Sequence, residues 1–407
     1  MPDPLDVLFV SHMGNYWGAE RSLVTLIEAL DPAAVRPLVL VPTRGALTKV
    51  LDRCSIPHFI TGHTGWLGAR NNAGKKILRA TLNLASYLLA SRRIRTRPVD
   101  LVYSNTLYSP LGALLARRRS VPHIWHVREF VHEDMNATFD FGTARSMRFV
   151  DRTASAIIFN SVAVMKKHAP SLRASKGCVV YNGFPGLEGE PPAATRKPPA
   201  PAGRWKLALV GRIEPAKGQA EAVRALGLLV EQGFRAELTL VGEGDARYTR
   251  RVRRIARDLG LGDRVDWRGF VSDPAEVYRS SDVVLVCSRS EAFGRVAIEA
   301  MAHGCPVVGT NSGGLPEIIE DGSNGLLYEP GNYRMLAERI LHLAGDRDLY
   351  ASISRRAPSS VYGRFTVERY ATGVLRIIRQ AHARGRGLSL PRDGAGHGVT
   401  SFPLSAP

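Results

Sequence analysis

Leu207-Ala208-Leu209-Val210-Gly211-Arg212-Ile213-Glu214-Pro215-Ala216-Lys217-Gly218 decides how the rest of the chain is read. Its first four residues are an unbroken apolar run, as in a strand buried on both faces, and a glycine-bounded loop follows. Residues 220–232 then continue with helical spacing. Strand, glycine loop and helix in that order open a parallel α/β sheet. The alternation runs on through a strand at 237–241, a helix at 248–259 and strands at 264–267, 283–286 and 306–308, and a helix at 367–382 closes it. The N-terminus repeats the theme. Val7-Leu8-Phe9-Val10 precedes a loop from Ser11 to Gly18 and a helix with Leu23, Leu26, Ile27 and Leu30 on one face. Short apolar runs at 37–41, 99–103, 123–126, 156–159 and 178–181 follow. The expected fold class is α/β with two doubly wound parallel sheets.

Residues 185–201 hold six prolines and almost no large apolar side chain, a composition that suits a semi-rigid connector. The expected organisation is a first domain at 1–184, a linker at 185–204 and a second domain at 205–363. A C-terminal helix at 364–384 is expected to pack back towards the first domain, and a tail at 385–407 to be disordered. Ligands of open α/β sheets bind beyond the carboxyl ends of the strands, so two such domains are expected to set those ends across a cleft.

Composition excludes several classes. The 407 residues are 44% hydrophobic and 23% charged, enough for two or three globular domains and unlike a collagenous or wholly disordered chain. No apolar run approaches the ~18 residues that span a bilayer, and Asp3 and Asp6 stand where a secretory leader carries cations, so a cytoplasmic protein is expected. Cys54, Cys178, Cys287 and Cys305 are scattered without metal-site spacing and read as reduced thiols. The net charge is +18, and residues 1–184 carry 24 basic against 12 acidic side chains. Such a field favours anionic partners without choosing among nucleic acid, lipid headgroups and phosphorylated small molecules.

The chemistry concentrates behind three strands. Glu291-Ala292-Phe293-Gly294-Arg295-Val296-Ala297-Ile298-Glu299 follows the strand at 283–286 and sets two carboxylates on either side of a helix start. A helix N-terminus after Gly294 offers unpaired N–H groups to a phosphate. Each carboxylate can accept two hydrogen bonds from a vicinal diol, and a nucleotide sugar has a diol at each end. Arg212 and Lys217 supply side-chain cations for a diphosphate, in a loop that has no Walker order. Gly242 and Gly244 mark a third loop.

Taken in order, G-R-x4-K-G from Gly211, L-V-G-x-G to Gly244, Arg268-Gly269-Phe270, E-x7-E-A-M-A from Glu291, Gly313-Gly314-Leu315-Pro316-Glu317 and Asp321-Gly322 resemble family 4 of the retaining nucleotide-sugar glycosyltransferases. The resemblance is close over residues 207–330 and looser in the first domain, through Gly18-Ala19-Glu20, His126 and Asn182-Gly183. It implies the GT-B fold, two Rossmann-like domains facing a central cleft. It implies that Glu299 binds the ribose, that Arg212, Lys217 and Gly211 meet the diphosphate, and that Phe293, Gly294, Arg295 and Val296 meet sugar and phosphates through the backbone. Glu291 would face the hexose, and Gly269, Phe270 and Val271 the base. From the first domain, Gly18 and Gly14 would lie near the diphosphate, and His126 beside the transferred sugar. Tyr16-Trp17 departs from the small or polar residues usual before that glycine, and either lines the acceptor entrance or covers the cleft rim. Arg128 and Glu129 either pair with each other or face the acceptor.

The resemblance thus implies a retaining hexosyltransferase with no metal and no cofactor. Its donor would be a UDP- or GDP-linked sugar and its acceptor a saccharide or lipid-linked molecule of cell-envelope, exopolysaccharide or glycolipid synthesis. Rival readings are an epimerase on the same fold and a non-catalytic sugar-nucleotide sensor or scaffold. Asp346-Arg347-Asp348 reads as loop, and Asp273-Pro274 as a helix start. Residues 70–97 contain eight cations and no acid around an apolar stretch, which suits either a core helix with solvated ends or docking on the inner face of the cytoplasmic membrane. No nucleic-acid module accompanies the charge.

Overall fold

The computed structural model describes residues 3–68, 73–135, 137–173, 176–191, 196, 198–200 and 203–387. Arg70, much of the proline-rich stretch and the tail from 388 onward, where disorder is expected, lie outside the described residues. The chain divides into two compact units, one running to Gly186 and resuming at Phe365, the other spanning Leu187–Arg364.

The first unit runs β1 (Leu5–Val10), α1 (Gly18–Ala29), β2 (Val35–Val41), α2 (Ala46–Arg53), β3 (His58–Ile60), β4 (Leu67–Gly68) and α3 (Ala73–Arg93). It continues with β5 (Leu101–Ser104), α4 (Leu111–Arg119), β6 (His123–Val127), α5 (His132–Met135), β7 (Thr138–Phe139), α6 (Thr143–Thr153), β8 (Ala156–Phe159), α7 (Val162–His168) and β9 (Gly177–Val179). Seven strands pair in the order β3-β2-β1-β5-β6-β8-β9, all parallel. The pleat explains the apolar run at the N-terminus. Val7 and Phe9 enter a core shared with α1 and α2, while Leu8 and Val10 enter the opposite core against α3 and α4, so all four positions of the run are buried.

The second unit runs β10 (Trp205–Val210), α8 (Gln219–Glu231), β11 (Ala236–Val241), α9 (Ala246–Asp258), β12 (Val265–Trp267), α10 (Ala275–Ser280) and β13 (Val283–Val286). Then come α11 (Arg295–Ala302), β14 (Val307–Thr310), β15 (Leu326–Tyr328), α12 (Tyr333–Gly345) and α13 (Arg347–Val361). Its parallel sheet has the order β12-β11-β10-β13-β14-β15. Leu207 and Leu209 of β10 pack with Val223, Leu226, Val252 and Ile340 in one core. The last helix, α14 (Val367–Gly385), belongs to the first unit, where Tyr370, Val374, Ile377, Ile378 and Ala381 join the core of α1.

Within the proline-rich stretch, composition suggests a bare connector, but one side chain ties it to the second unit. The Arg196 guanidinium donates to the carbonyl oxygens of Tyr278 and Arg279 at 2.7 Å each, of His303 at 3.3 Å, and of Ser281. Its backbone N–H donates to Ser354 Oγ at 3.2 Å. A single cation thus satisfies the carbonyls that close α10 and α11, a role no spacing rule announces. Arg196→Ala is expected to destabilise the second unit by about 2 kcal/mol, because charged hydrogen bonds are lost and carbonyls left unpaired. Arg204→Ala, which removes only an exposed pair with Glu237, should stay within about 0.5 kcal/mol. Urea unfolding followed by Trp205 fluorescence compares the two.

Candidate functional site

The carboxyl ends of β10, β11, β13 and β14 bring four loops together in the second unit by backbone approach. Gly242 has φ 138°, and a Cβ there would lie 2.0 Å from the Gly211 carbonyl oxygen; one on Gly218, φ 72°, would lie 2.1 Å from that of Cys287. Gly313, φ 60°, is equally close against the Glu291 carbonyl oxygen. Side chains are excluded at these points, so the loops lock together through main chain.

That lock delivers Lys217 and Glu291 to one another. Lys217 Nζ donates to Glu291 Oε2 at 2.7 Å, and Ser288 Oγ donates to the same oxygen at 2.8 Å. Burial pushes the Glu291 carboxyl up, but the Lys217 ammonium, with hydrogen bonds from Lys217, Ser288 and the Gly294 backbone, outweighs it and holds the group below its ordinary value. Glu291 is therefore a carboxylate at neutral pH. Just beyond it, Gly294 takes φ 110° as α11 begins, leaving the N–H groups of the first turn directed out of the helix. Arg212 extends beside Glu214, 3.6 Å away, and Gln219 Nε2 donates to its carbonyl at 2.7 Å.

Glu299 lies one turn into α11. Its two oxygens accept from Arg295 Nε at 2.7 Å and Tyr278 Oη at 2.8 Å. Arg295 therefore sends its side chain down the helix, while its N–H belongs to the first turn. Phe293 is buried and Val296 half-buried. Gly269, φ 62°, turns the chain after β12, with Phe270 exposed and Val271 half-buried beside it. Sequence reasoning missed Ser288 and Tyr278, which have no motif of their own. Asp273 Oδ1 accepts from the Ala275 N–H at 3.0 Å at the start of α10, and Asp346 caps α13 by accepting from the Leu349 N–H at 2.8 Å. Among the described residues no cluster of His, Cys, Asp and Glu could hold a metal ion.

In the first unit a buried polar network gathers at the carboxyl ends of β1, β5 and β6. Arg128 is its hub: it donates to Asn105, Asn182 and Tyr370 Oη, the last at 2.7 Å, and its Nη2 lies 3.1 Å from His126 Nδ1. Tyr103 Oη also bonds His126 Nδ1. With Nδ1 accepting, the proton is assigned to Nε2, a fully buried atom without a hydrogen-bond partner. Burial, then the Arg128 charge, hold the His126 imidazole neutral. Glu129 accepts from the Leu107 N–H at 2.5 Å and its own neighbour's N–H at 2.9 Å, and burial pushes it up to about 7. Glu20 Oε1 meets Ser11 Oγ and His12 Nδ1 at 3.2 and 2.9 Å, while its Oε2 has no partner. The Arg128 guanidinium is thus bonded to Asn105, Asn182 and Tyr370 rather than paired with Glu129, which takes the Arg128 backbone N–H; Glu20 enters the sequence reading only within the resemblance. Gly14 and Gly18 differ: a Cβ on Gly14 would strike the Thr43 carbonyl oxygen at 2.4 Å, so packing alone requires glycine, whereas nothing lies within 4 Å of one on Gly18. Trp17 precedes α1 and is partly exposed.

Comparison with known proteins identifies the class. Residues 192–360 match the family described as glycosyl transferases group 1, and residues 18–183 match the glycosyl transferase 4-like domain. Anabaena HepE, solved with UDP and glucose, shares 26% identity over 92% of this chain and 99% of that one, with a TM-score of 0.74; the same protein solved with UDP-glucose gives equal figures over 100% of its chain. The chain belongs to the group 1, family 4 glycosyltransferases and has their α/β GT-B fold. A Bacillus anthracis N-acetyl-alpha-D-glucosaminyl L-malate synthase is 34% identical over 39% of this chain and 41% of its own length. An Acidothermus cellulolyticus D-inositol 3-phosphate glycosyltransferase is 34% identical over 50% and 48%. The chain thus spans about half or less of the length of these two relatives.

The buried imidazoles set a pH dependence. His63, lowered to about 4, and His126 protonate in the folded unit below the ordinary 6.5, so the unfolded chain takes up protons first as pH falls. Stability of the first unit is expected to drop from pH 6.5 towards 4, by about 1.4 kcal/mol per pH unit for each neutral imidazole, offset in part by Glu129, whose raised carboxyl takes up its proton first in the folded unit. Denaturant unfolding at stepped pH checks this. ¹⁵N spectra should show His126 as the neutral Nε2–H tautomer throughout, and an imidazolium signal in that window would contradict the assignment.

Proposed function

We propose that the protein transfers a hexose from a UDP-linked sugar to a saccharide or lipid-linked acceptor, with retention at the anomeric carbon and without a metal. The observation that carries the reading is the Glu291 carboxylate, held ionised by Lys217 and Ser288 beside the α11 N-terminus. The likeness to HepE in complex with UDP-glucose supports a UDP-glucose-class donor.

In this reading Glu299 binds the ribose diol, exchanging the hydrogen bonds of Arg295 and Tyr278 for those of two hydroxyls. Arg212, Lys217 and the first turn of α11 stabilise charge growing on the leaving diphosphate, which accounts for catalysis without a divalent cation. Glu291 hydrogen-bonds the hexose and fixes its orientation. As the bond to the diphosphate breaks, the acceptor oxygen attacks from the same face and passes its proton to the departing phosphate oxygen. His126 Nε2–H, unpartnered in the first unit, donates to a hydroxyl of the transferred sugar. Gly18 leaves room for the diphosphate near the start of α1.

UDP-glucose at 100 times its dissociation constant should stabilise the protein by about 2.7 kcal/mol, with EDTA present. Glu299→Ala should weaken donor binding about tenfold or more, at the cost of roughly two charge-assisted hydrogen bonds. Glu291→Gln should keep binding within about threefold and lower kcat at least a hundredfold. Calorimetry and product analysis of the anomeric configuration read these outcomes. No response to any sugar nucleotide, or an inverted product, would overturn the corresponding part.

A further inference from the structure

Helix α3 turns polar side chains inward over its first half. Its packed face carries Lys76, Arg79, Asn83 and Ser86, and only then Tyr87 and Ala90, which join the apolar core. Arg79 forms a two-pronged ion pair with buried Asp140, with Nε 2.8 Å from Oδ2, and Asn83 Oδ1 accepts from the Thr64 N–H at 2.8 Å. The outward face carries Ile77, Leu78, Leu82, Leu84, Leu88 and Leu89, exposed by 40–64%. At 100° per residue these six cover roughly half the helix circumference, with only Thr81 and Ala85 among them before the cationic ends. Ten large apolar side chains are exposed among the described residues; six are these, and a seventh, Phe141, lines a groove of about 640 Å³ together with Leu84. A patch of this extent is not a face that water selects. It is also too short and too charged to cross a bilayer: among the described residues no helix is long and apolar enough to do so.

Charge decides what covers it. The described part of the stretch, from Lys75 to Arg97, holds no acid, and Lys75, Arg92, Arg93, Arg95 and Arg97 are exposed around the apolar face. Beside it, Arg117 and Arg118 end α4 and also line the Phe141 groove. A second groove, about 710 Å³, is lined by Arg117 and by Arg145, Arg148 and Arg152, which follow helical spacing along α6. We propose that the α3, α4 and α6 face of the first unit docks on an anionic membrane surface, the leucines of α3 entering the interface and the arginines of α4 and α6 holding lipid phosphates. Apolar burial and phosphate pairing then act together, as interfacial anchoring requires. The surface belongs to the first unit alone and holds whichever sugar the second unit binds.

The test is co-sedimentation of the full chain with phosphatidylcholine vesicles, with and without phosphatidylglycerol. Wild type should partition only onto the mixed vesicles, less so as salt rises. Leu84→Glu/Leu88→Glu and Arg145→Glu/Arg148→Glu should each lose about tenfold or more in partitioning. Circular dichroism and UDP-glucose binding should stay unchanged, since all four side chains face solvent and lie outside the donor loops. Equal binding to neutral and mixed vesicles, or undiminished partitioning of the leucine variant, overturns the proposal. So does a vesicle-free dimer that the leucine variant abolishes in sedimentation velocity, which would make a second copy the occupant.

Discussion

Main-chain approach at the carboxyl ends of β10, β11, β13 and β14 is the constraint on which the second unit's chemistry depends. Where carbonyl oxygens stand 2.0–2.2 Å from the place of a missing Cβ at Gly242, Gly218 and Gly313, no other residue fits, and the loops take one arrangement. Because backbone does the holding, the side chains of Lys217, Ser288 and Glu291 are left to meet each other. A carboxylate that would otherwise resist burial is kept ionised by that meeting.

The first unit solves a different problem. Its sheet ends in buried polar groups, and Arg128 ties strand ends, the loop at Asn182 and α14 into one network. α14 reaches it from far along the sequence through Tyr370, so the last described helix helps hold the geometry of His126. Buried beside so many paired groups, the orphan Nε2 of His126 costs stability unless a ligand completes it.

The inversion of α3 shows the same accounting applied to a surface. Polar side chains are taken inside at the cost of pairing Arg79 with Asp140 and Asn83 with backbone, and leucines are left outside. On the proposed docking, patterning of this sense sets the helix against an apolar interface rather than water.

Local order was legible from residues alone. The apolar runs gave most of the strands within a few positions, since a strand buried on both faces needs no alternation; the run at Val283–Val286 coincides with β13, while the two- and three-residue strands β3, β4, β7 and β15 had no run read for them. The glycine loops and the E-x7-E spacing marked the second unit's loops because turns and helix starts are local chemistry. Asp273 read correctly as a helix-start residue for the same reason, whereas Asp346-Arg347-Asp348, read as loop, opens α13 with Asp346 as its cap. What lay beyond sequence was pairing at a distance. Arg196 in a proline-rich stretch, Ser288 on Glu291, Tyr278 on Glu299, and Tyr370 on Arg128 join residues whose separation carries no periodic signal. The stretch around α3 was readable as apolar with basic ends, yet which face would turn outward was not, because that depended on Asp140 and Thr64 offering partners to its polar side. The sequence by itself determined where strands, turns and helix starts fall, since those follow from backbone sterics and apolar period over a few residues. Only the tertiary structure decided which charges are paired, which imidazole nitrogen stands alone and which leucines remain uncovered, because burial and hydrogen-bond satisfaction are properties of the packed whole.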